Sequence, residues 1–375
     1  MSSFNLVQIV PSLDSGGVER GTIDLANFLS HKNLSNHIIS NGGRLLKNID
    51  TSFTNHYKLP VNSKNIFKYP FIAKKIFKYV SSNNINIVHV RSRGPAWISS
   101  FLPANNIKTV STFHNIYGGE SFIKKFYNKK MSKVNYIISI SNYVKKEISK
   151  KYNIDPNRIF VINRGIDTDF FNDDVNGSDK KKFLDKHNIV NGQKIFLYPG
   201  RITEWKGQHQ FISNIEKINM KGRVVIFAGD TSNNSHTNLL KKEIKNKNLL
   251  DKCKILGPLD DRDLKIAYSL SDLVLSLPTR PEGFGRTISE TISMKKIIIA
   301  KNIGGVFDQL KDLDKIYKIE EKDMDQLSEK IEQIMQLEEG YKENLVNTGR
   351  DHVRNNFSLH NMVSNYFNFY EKISI

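Results

Sequence analysis

The chain is poor in cysteine, in alanine and in long apolar runs, and the first and last of these shortages each close off a class of protein. A single cysteine, Cys253, allows neither an internal disulfide nor a multi-cysteine metal site. It reads as a core thiol. The 10 histidines include no HExxH or HxxxH pair, so no metal site is suggested. No apolar run approaches the roughly 18 residues that a membrane span needs. The amino-terminal MSSFNLVQIVPSLDSGG has no basic leader, and its short apolar run passes straight into a proline and two glycines. That pattern reads as a first strand rather than a signal peptide, which sets the expectation of a cytoplasmic protein.

What is present is the composition of a soluble globular chain, 39% hydrophobic and 25% charged. Its 375 residues suggest two domains, at roughly 100–200 residues each. The formal net charge is +18, but 40 asparagines against 7 alanines look like drift toward AT-rich codons, which inflates lysine as well. Distribution is therefore more telling than the total. Residues 1–175 hold 24 Lys/Arg against 11 Asp/Glu, net +13, and the remainder holds 32 against 27, net +5. The first half carries the field.

Strand-like runs at 6–10, 85–90, 109–113, 136–140 and 159–162 alternate with helical stretches at 17–29, 70–81 and 142–151. After the polar segment NDDVNGSDKKK the pattern restarts, with strand-like runs at 194–198, 224–228, 253–256, 273–277 and 297–300. Such βα alternation implies parallel sheets covered on both faces. The expected architecture is α/β: two doubly wound domains, 1–175 and 176–357, facing across a cleft. A tail at 358–375 (FSLHNMVSNYFNFYEK in its apolar part) has helical period and is too aromatic to stay free, so it should dock as a helix.

In open α/β sheets ligands bind outside the carboxyl ends of the strands, and four such loops carry polar chemistry. In PSLDSGGVER, Gly16 and Gly17 would let a phosphate or sugar approach bare amides at a helix start; a structural turn is the alternative, and the pattern is not the GxGxxG fingerprint. His114 ends the strand KTVSTFH. YPGRITEWKGQ sets Arg201 after a strand and Lys206 at a helix start, a fork and a point charge suited to a diphosphate. In RPEGFGRTISE, Glu282 lies in the loop and Glu290 one to two turns into a helix, with the amides of Gly283, Phe284 and Gly285 between them as an anion seat. Two hydroxyl acceptors around an anion seat suit a sugar nucleotide. The competing reading makes Glu282 a helix cap and Glu290 an exposed helix charge.

With SGGVER, TFHN, RIFVINRGIDTDFF, YPGRITEWKGQ, IFAGD, EGFGRTISE and IGGVFDQL in this order, the chain resembles family 4 glycosyltransferases of the GT-B type over nearly its whole length. IVHVRSRGPAW and EWKGQ further resemble an alphaproteobacterial subgroup assigned to lipopolysaccharide sugars. The resemblance implies that Arg201 and Lys206 hold the donor diphosphate, that Glu290 takes the ribose, and that Glu282 with the 283–285 backbone takes the transferred sugar. It places His114 by that sugar and the base near the backbone of Pro258 and Leu259. It also implies retention of anomeric configuration, no metal and no cofactor beyond the nucleotide-diphosphate-sugar co-substrate, a glycan or lipid-linked acceptor bound by the first domain, and a tail helix crossing back to that domain. Two departures stand out. The usual small-Gly-x-Pro turn reads SMKKIIIA (293–300), and Asn115 follows His114.

Two other classes compete with this reading. A sugar-nucleotide epimerase would share the diphosphate seat but not the glutamate pair, and a nucleic-acid-binding protein would use the charge but shows no RNP-type or zinc-finger signature. The segment ESFIKKFYNKKMSKV (120–134), with Lys124, Lys125, Lys129, Lys130 and Lys133 among apolar residues, and YPFIAKKIFKYV (69–80) are expected to dock the first domain on an anionic membrane surface. The plainer alternative is that both apolar faces pack on the sheet.

Overall fold

Every strand sequence foreseen forms, and so do three that it did not announce. A computed structural model describes residues 4–14, 16–103, 107–118 and 121–374. Ser15 of the glycine loop, Glu120 of the basic segment and Met1–Ser3 before the first strand lie outside the described residues. The chain divides into two units, residues 1–164 with 359–375, and residues 165–358. The break falls at Arg164/Gly165, ahead of the polar stretch that suggested residue 175.

The first unit holds seven parallel strands: β1 (Leu6–Ile9), β2 (Asn36–Ser40), β3 (Thr54–Lys58), β4 (Ile87–Val90), β5 (Lys108–Phe113), β6 (Tyr136–Ser139) and β7 (Ile159–Val161). Their order is β3-β2-β1-β4-β5-β6-β7. β2 and β3 are the unannounced ones: NHIIS and TNHYK hold few apolar residues, and a strand at the sheet edge needs fewer still. The second unit holds β8 (Lys194–Pro199), β9 (Arg223–Ala228), β10 (Cys253–Gly257), β11 (Leu273–Ser276), β12 (Ile298–Lys301) and the two-residue β13 (Lys318–Ile319), in the order β10-β9-β8-β11-β12-β13. Each sheet therefore reverses direction once, between β1 and β4 and between β8 and β11.

The tail forms a helix, Leu359–Ser374, that belongs to the first unit. Its Met362, Val363, Tyr366, Phe369 and Tyr370 share one core with Leu6, Leu25, Ile87 and Val110. The Tyr370 hydroxyl lies 2.6 Å from Nδ1 of the buried His89, whose Nε2 is 2.8 Å from Thr112 Oγ1. The apolar face of the tail thus packs into the core on that side of the sheet.

Asparagine has a local job here. Asn33, Asn84, Asn153, Asn188 and Asn248 all adopt left-handed φ of 51–56°, each just beyond the end of a helix. In every case the next residue, Leu34, Ile85, Ile154, Ile189 or Leu249, donates its amide back to the carbonyl five residues earlier. This is the Schellman closure with an apolar follower, in which asparagine stands where glycine is commonest. Lys295 (φ 53°) fills the same place after the helix Arg286–Ser293, and Lys296 N donates to Thr291 O at 3.1 Å. The SMKKIIIA departure therefore keeps the turn while changing its residue.

Replacing Asn153 with alanine should cost about 1 kcal/mol, since a Cβ-bearing residue without a polar side chain is disfavoured in this region, while Asn153→Gly should be close to neutral. Urea midpoints of the two variants check this; equal destabilisation by both would show that the asparagine side chain, not its backbone tolerance, matters.

Candidate active site

The reversal of the second sheet brings the loops after β8 and β11 side by side, the place where open α/β sheets bind ligands. Three adjacent strand ends in this unit run into glycine. Gly200 N donates to Ala228 O and Gly229 N to Gly257 O, both at 2.8 Å, and a Cβ on Gly229 would overlap the Gly200 carbonyl. Gly207 (φ +84°) packs so closely on Leu277 that any side chain would strike its carbonyl oxygen. That contact fixes Lys206 beside the β11 loop.

Lys206 Nζ sits 2.5 Å from Glu282 Oε1, with both side chains largely buried at 16% and 13% exposure. The ammonium also lies 4.8 Å from the Trp205 ring centroid, and Tyr198 donates its hydroxyl to the Lys206 carbonyl at 2.9 Å. Arg201 is exposed and has neither an ion pair nor a side-chain hydrogen bond among the described residues. One predicted cation is thus already paired and the other is uncovered.

The loop carrying Glu282 is clamped by the segment IGGVFDQL. Gly305 N donates to Glu282 O at 2.8 Å, and a Cβ on Gly305 would overlap the Gly283 carbonyl. Gln309 Nε2 donates to the carbonyl of Phe284 and, at 3.3 Å, to that of Gly285, while its Oε1 accepts from Ser289 Oγ at 2.6 Å. With these carbonyls turned toward Gln309 and Gly285 left-handed at φ 85°, the helix Arg286–Ser293 begins with no side-chain cap.

Glu290 is 6% exposed. Its Oε1 pairs with Arg286 Nη2 at 3.0 Å, and its Oε2 accepts from the Tyr268 hydroxyl at 3.1 Å. Burial and the Glu290 carboxylate push the Tyr268 phenol well above its usual range, so it stays a donor. Neither glutamate fits the cap-and-surface alternative. Pro258 and Leu259 follow Gly257 (φ +76°) at the end of β10 and lead into the helix Asp261–Leu270.

In the first unit Gly16 (φ 116°) caps the helix Gly17–His31. Arg164 donates to the Gly17 carbonyl, and its Nη1 lies 3.2 Å from His114 Nδ1. A guanidinium only donates, so Nδ1 accepts and the proton of the neutral ring sits on Nε2. That Nε2 is buried with no partner among the described residues. Burial first, then the charges of Arg91 and Arg164, holds the His114 pKa well below its usual value. Gly17 and His114 are therefore joined through Arg164, with Gly16 next in the chain. Arg164, Gln309 and Arg91 lie inside the motifs and Tyr268 outside them, yet each acts on a partner about 20 to about 150 positions away, which no local pattern encodes. Among the described residues no three of His, Cys, Asp or Glu are grouped as a metal would need.

Fold and residues together define a polar, glycine-lined site at the reversal of a doubly wound sheet, and comparison with known proteins places the chain in a family. Residues 15–170 match the model described as Glycosyltransferase Family 4, and residues 179–352 the one described as Glycosyl transferases group 1. The crystal structure of a glycosyltransferase from Rickettsia africae superposes with a TM-score of 0.88 at 35% identity, covering 99% of this chain and 98% of that one. CapM of Staphylococcus aureus, a capsular polysaccharide biosynthesis glycosyltransferase, is 25% identical over 95% of this chain and 93% of its own length. HepE of Anabaena, in complex with UDP and glucose, shares the fold with a TM-score of 0.81 at 16% identity, over 98% of this chain and all of the other. The chain belongs to the family 4 glycosyltransferases of GT-B fold.

Because the folded chain refuses a proton on His114, the unfolded chain binds more protons once the pH drops below its ordinary value near 6.5. Stability should therefore be unaffected by this group above pH 7 and fall as the pH drops from 6.5 to 5. Melting temperatures across that range should decline less steeply for His114→Asn than for the parent, with the also depressed His89 accounting for part of the remaining slope. Parallel declines would show that His114 titrates normally.

Proposed function

We propose that this glycosyltransferase moves a sugar from a nucleotide-diphosphate-sugar to a glycan or lipid-linked acceptor, with retention of configuration and without a metal, in the synthesis of cell-envelope polysaccharide or lipopolysaccharide. The observation that carries the reading is the Lys206–Glu282 pair beside the uncovered Arg201, at the reversal of the second sheet. A diphosphate placed there gains Lys206 as a point charge and Arg201 as a fork. Glu282 Oε2, which has no partner among the described residues, is left for a sugar hydroxyl. Glu290 has lone pairs remaining for a ribose hydroxyl donor beyond its two present partners. The neutral His114 keeps an unpartnered Nε2–H, a donor for a hydroxyl at the first unit's own strand ends.

In the proposed step the bond from the anomeric carbon to the diphosphate oxygen breaks and the acceptor oxygen bonds that carbon on the same face. The acceptor proton passes to the departing diphosphate. Charge builds on that leaving group, and Lys206, Arg201 and the amides of 283–285 are the groups suited to stabilise it. The envelope assignment follows the capsular role named for CapM.

We place the enzyme at the cytoplasmic face of the membrane, held peripherally. No helix among the described residues is long and apolar enough to cross a bilayer. The helix Phe122–Lys129 instead leaves Phe122, Ile123 and Phe126 exposed at 83%, 78% and 57%, so its apolar face does not pack on the sheet. The helix Tyr69–Ser82 does bury Ile72, Ala73, Ile76 and Val80, leaving Phe71 outside. Lysines near anionic lipid contribute about 1 kcal/mol each, enough for reversible docking when several act together.

Lys206→Ala and Arg201→Ala should each lower turnover by roughly 100-fold or more, the usual effect of losing one positioned charge stabiliser. Glu282→Gln should act mainly on kcat and Glu290→Ala mainly on donor KM, since a ribose contact is the same in ground and transition states. Steady-state kinetics with the donor found by a thermal-shift screen of nucleotide sugars settles both, and near-normal rates for both cation variants would overturn the diphosphate assignment. Full activity is expected in excess EDTA; rescue by a divalent ion would refute the metal-free step.

Co-sedimentation with liposomes should rise with anionic lipid content and weaken at high salt. Binding indifferent to lipid charge, or unchanged when Lys124, Lys125, Lys129 and Lys130 become serine, would mean that the surplus charge is compositional.

A further inference from the structure

The carboxyl edge of the first sheet holds Gly17 and His114; the opposite edge has a cavity of its own. It measures about 520 Å³ and opens at the amino ends of β5 and β6, beside Thr109 and Asn135, where the helix Arg93–Ser99 runs out. β5 has six residues and His114 follows the last of them, which puts roughly 20 Å between histidine and cavity at about 3.3 Å per residue. No residue assigned above to the donor or the transferred sugar lines it.

The cavity is lined with donors that lack acceptors. Lys129, Lys130 and Lys133 line it, and none pairs with a described carboxylate; Lys130 Nζ rests 4.7 Å from the Trp97 ring centroid. The sequence explains why. From residue 51 to residue 146 there are 16 Lys/Arg and one acid, Glu120. Asn135 Oδ1 accepts from the backbone N and the Oγ1 of Thr109, each at 2.8 Å, which leaves its amide N–H groups over. Ser99 is 8% exposed, and its Oγ has no hydrogen-bond partner among the described residues. A buried helical serine ordinarily returns its hydroxyl to a carbonyl of the preceding turn, as the neighbouring Ser100 does to Trp97 O at 2.7 Å.

Lysines beside the last turn of a helix can simply balance its negative end. That reading accounts for the charges but not for the orphaned Ser99 hydroxyl or for the space in front of it. Three ammonium groups, a hydroxyl and an amide around one space call for an anion with several acceptor oxygens, and phosphate is such an anion. The rest of the wall is apolar, formed by Leu102, Pro103, Ile107 and Phe126. Inorganic phosphate would leave that wall in water, whereas cavities of roughly 300–1,000 Å³ are those that enclose a whole small organic molecule. Phosphate on an apolar or aromatic body satisfies both halves of the lining.

We propose that this cavity is a second ligand site, at the far end of β5 from His114, for a soluble organic phosphate. Lys129, Lys130, Lys133 and Ser99 receive the phosphate, and Leu102, Ile107 and Phe126 cover the body. Lys124 and Lys125, on the same helix as Lys129, lie outside it. The site depends on the first unit alone and not on the donor chemistry of the second.

The test is affinity labelling of the full chain with pyridoxal phosphate, an aromatic phosphate whose aldehyde condenses with a nearby lysine amine, losing water, and is then fixed by borohydride reduction. Peptide mass spectrometry reads which lysines carry it. At low reagent Lys129, Lys130 and Lys133 should be labelled several-fold more than Lys124 and Lys125. Pyridoxal without its phosphate should label them several-fold less, phenyl phosphate should protect them better than inorganic phosphate, and Ser99→Ala should lower their labelling while leaving Lys124 and Lys125 unchanged. Even labelling of all five lysines would reduce the site to basic surface and overturn it. Pyridoxal labelling as strongly as its phosphate would overturn the phosphate assignment, and equal protection by inorganic and phenyl phosphate would overturn the organic body. Protection by phosphatidylglycerol vesicles but by neither soluble phosphate would overturn the soluble ligand in favour of a lipid headgroup. If Ser99→Ala proves unfolded by circular dichroism, Phe126→Glu decides instead: it sets a carboxylate against the lysines from an exposed position and should abolish protection by phenyl phosphate, and intact protection would overturn the site.

Discussion

The candidate donor site depends on one ion pair, Lys206 with Glu282. The two residues are 76 positions apart and meet only because β8 and β11 are neighbours at the point where the second sheet reverses its order. Both side chains are mostly out of water, so removing either leaves the other charge poorly solvated, a loss of several kcal/mol. Around the pair the backbone is held by contacts that only glycine permits: Gly207 against Leu277, Gly229 against Gly200, and Gly305 against Gly283. These contacts also keep the strand ends bare, which is what a diphosphate needs if it is to approach the main chain.

The second constraint is in the turns. A chain rich in asparagine and poor in alanine looks like the product of codon drift, yet five of those asparagines close helices in the left-handed region, each with an apolar residue behind it. Drift supplied the residue and geometry found a use for it. Lys295 shows the limit of that substitution. It holds a turn better suited to glycine, and its Nζ lies 3.3 Å from Asp173 Oδ2. Burial alone would raise the Asp173 pKa, but a backbone hydrogen bond and the nearby Lys295 and Arg350 bring it below the usual carboxylate range. Burial lowers the neighbouring Lys296 to about 8.

Charge and exposed apolar surface coincide in the first unit. The stretch from 51 to 146, whose single acid is Glu120, encompasses β3 to β6 and the two helices with bare phenylalanines. A lysine-rich surface by itself would be ordinary solvated protein. Uncovered aromatics among the lysines make it a surface suited to a partner that is both anionic and oily.

Sequence alone determined the αβ class, the two sheets, most strands to within a residue or two, the docking of the tail and the motifs that place the chain in its family. Those features rest on period, on glycine and on spacing, all of which are local. It did not determine β2, β3 or β13: β3 and β13 are short edge strands, and β2, though interior, is built largely of polar residues, so none carries much apolar pattern. Nor did it show that Lys206 pairs with Glu282, that Tyr268 and Arg286 occupy Glu290, or that Arg164 fixes the tautomer of His114. Apart from Arg286 with Glu290, which are one turn apart on a single helix, each of those facts joins residues on different elements that only the tertiary fold brings together. The exposure of Phe122 and Phe126 was equally hidden, since an amphipathic helix has the same sequence whether its apolar face meets a sheet or the solvent.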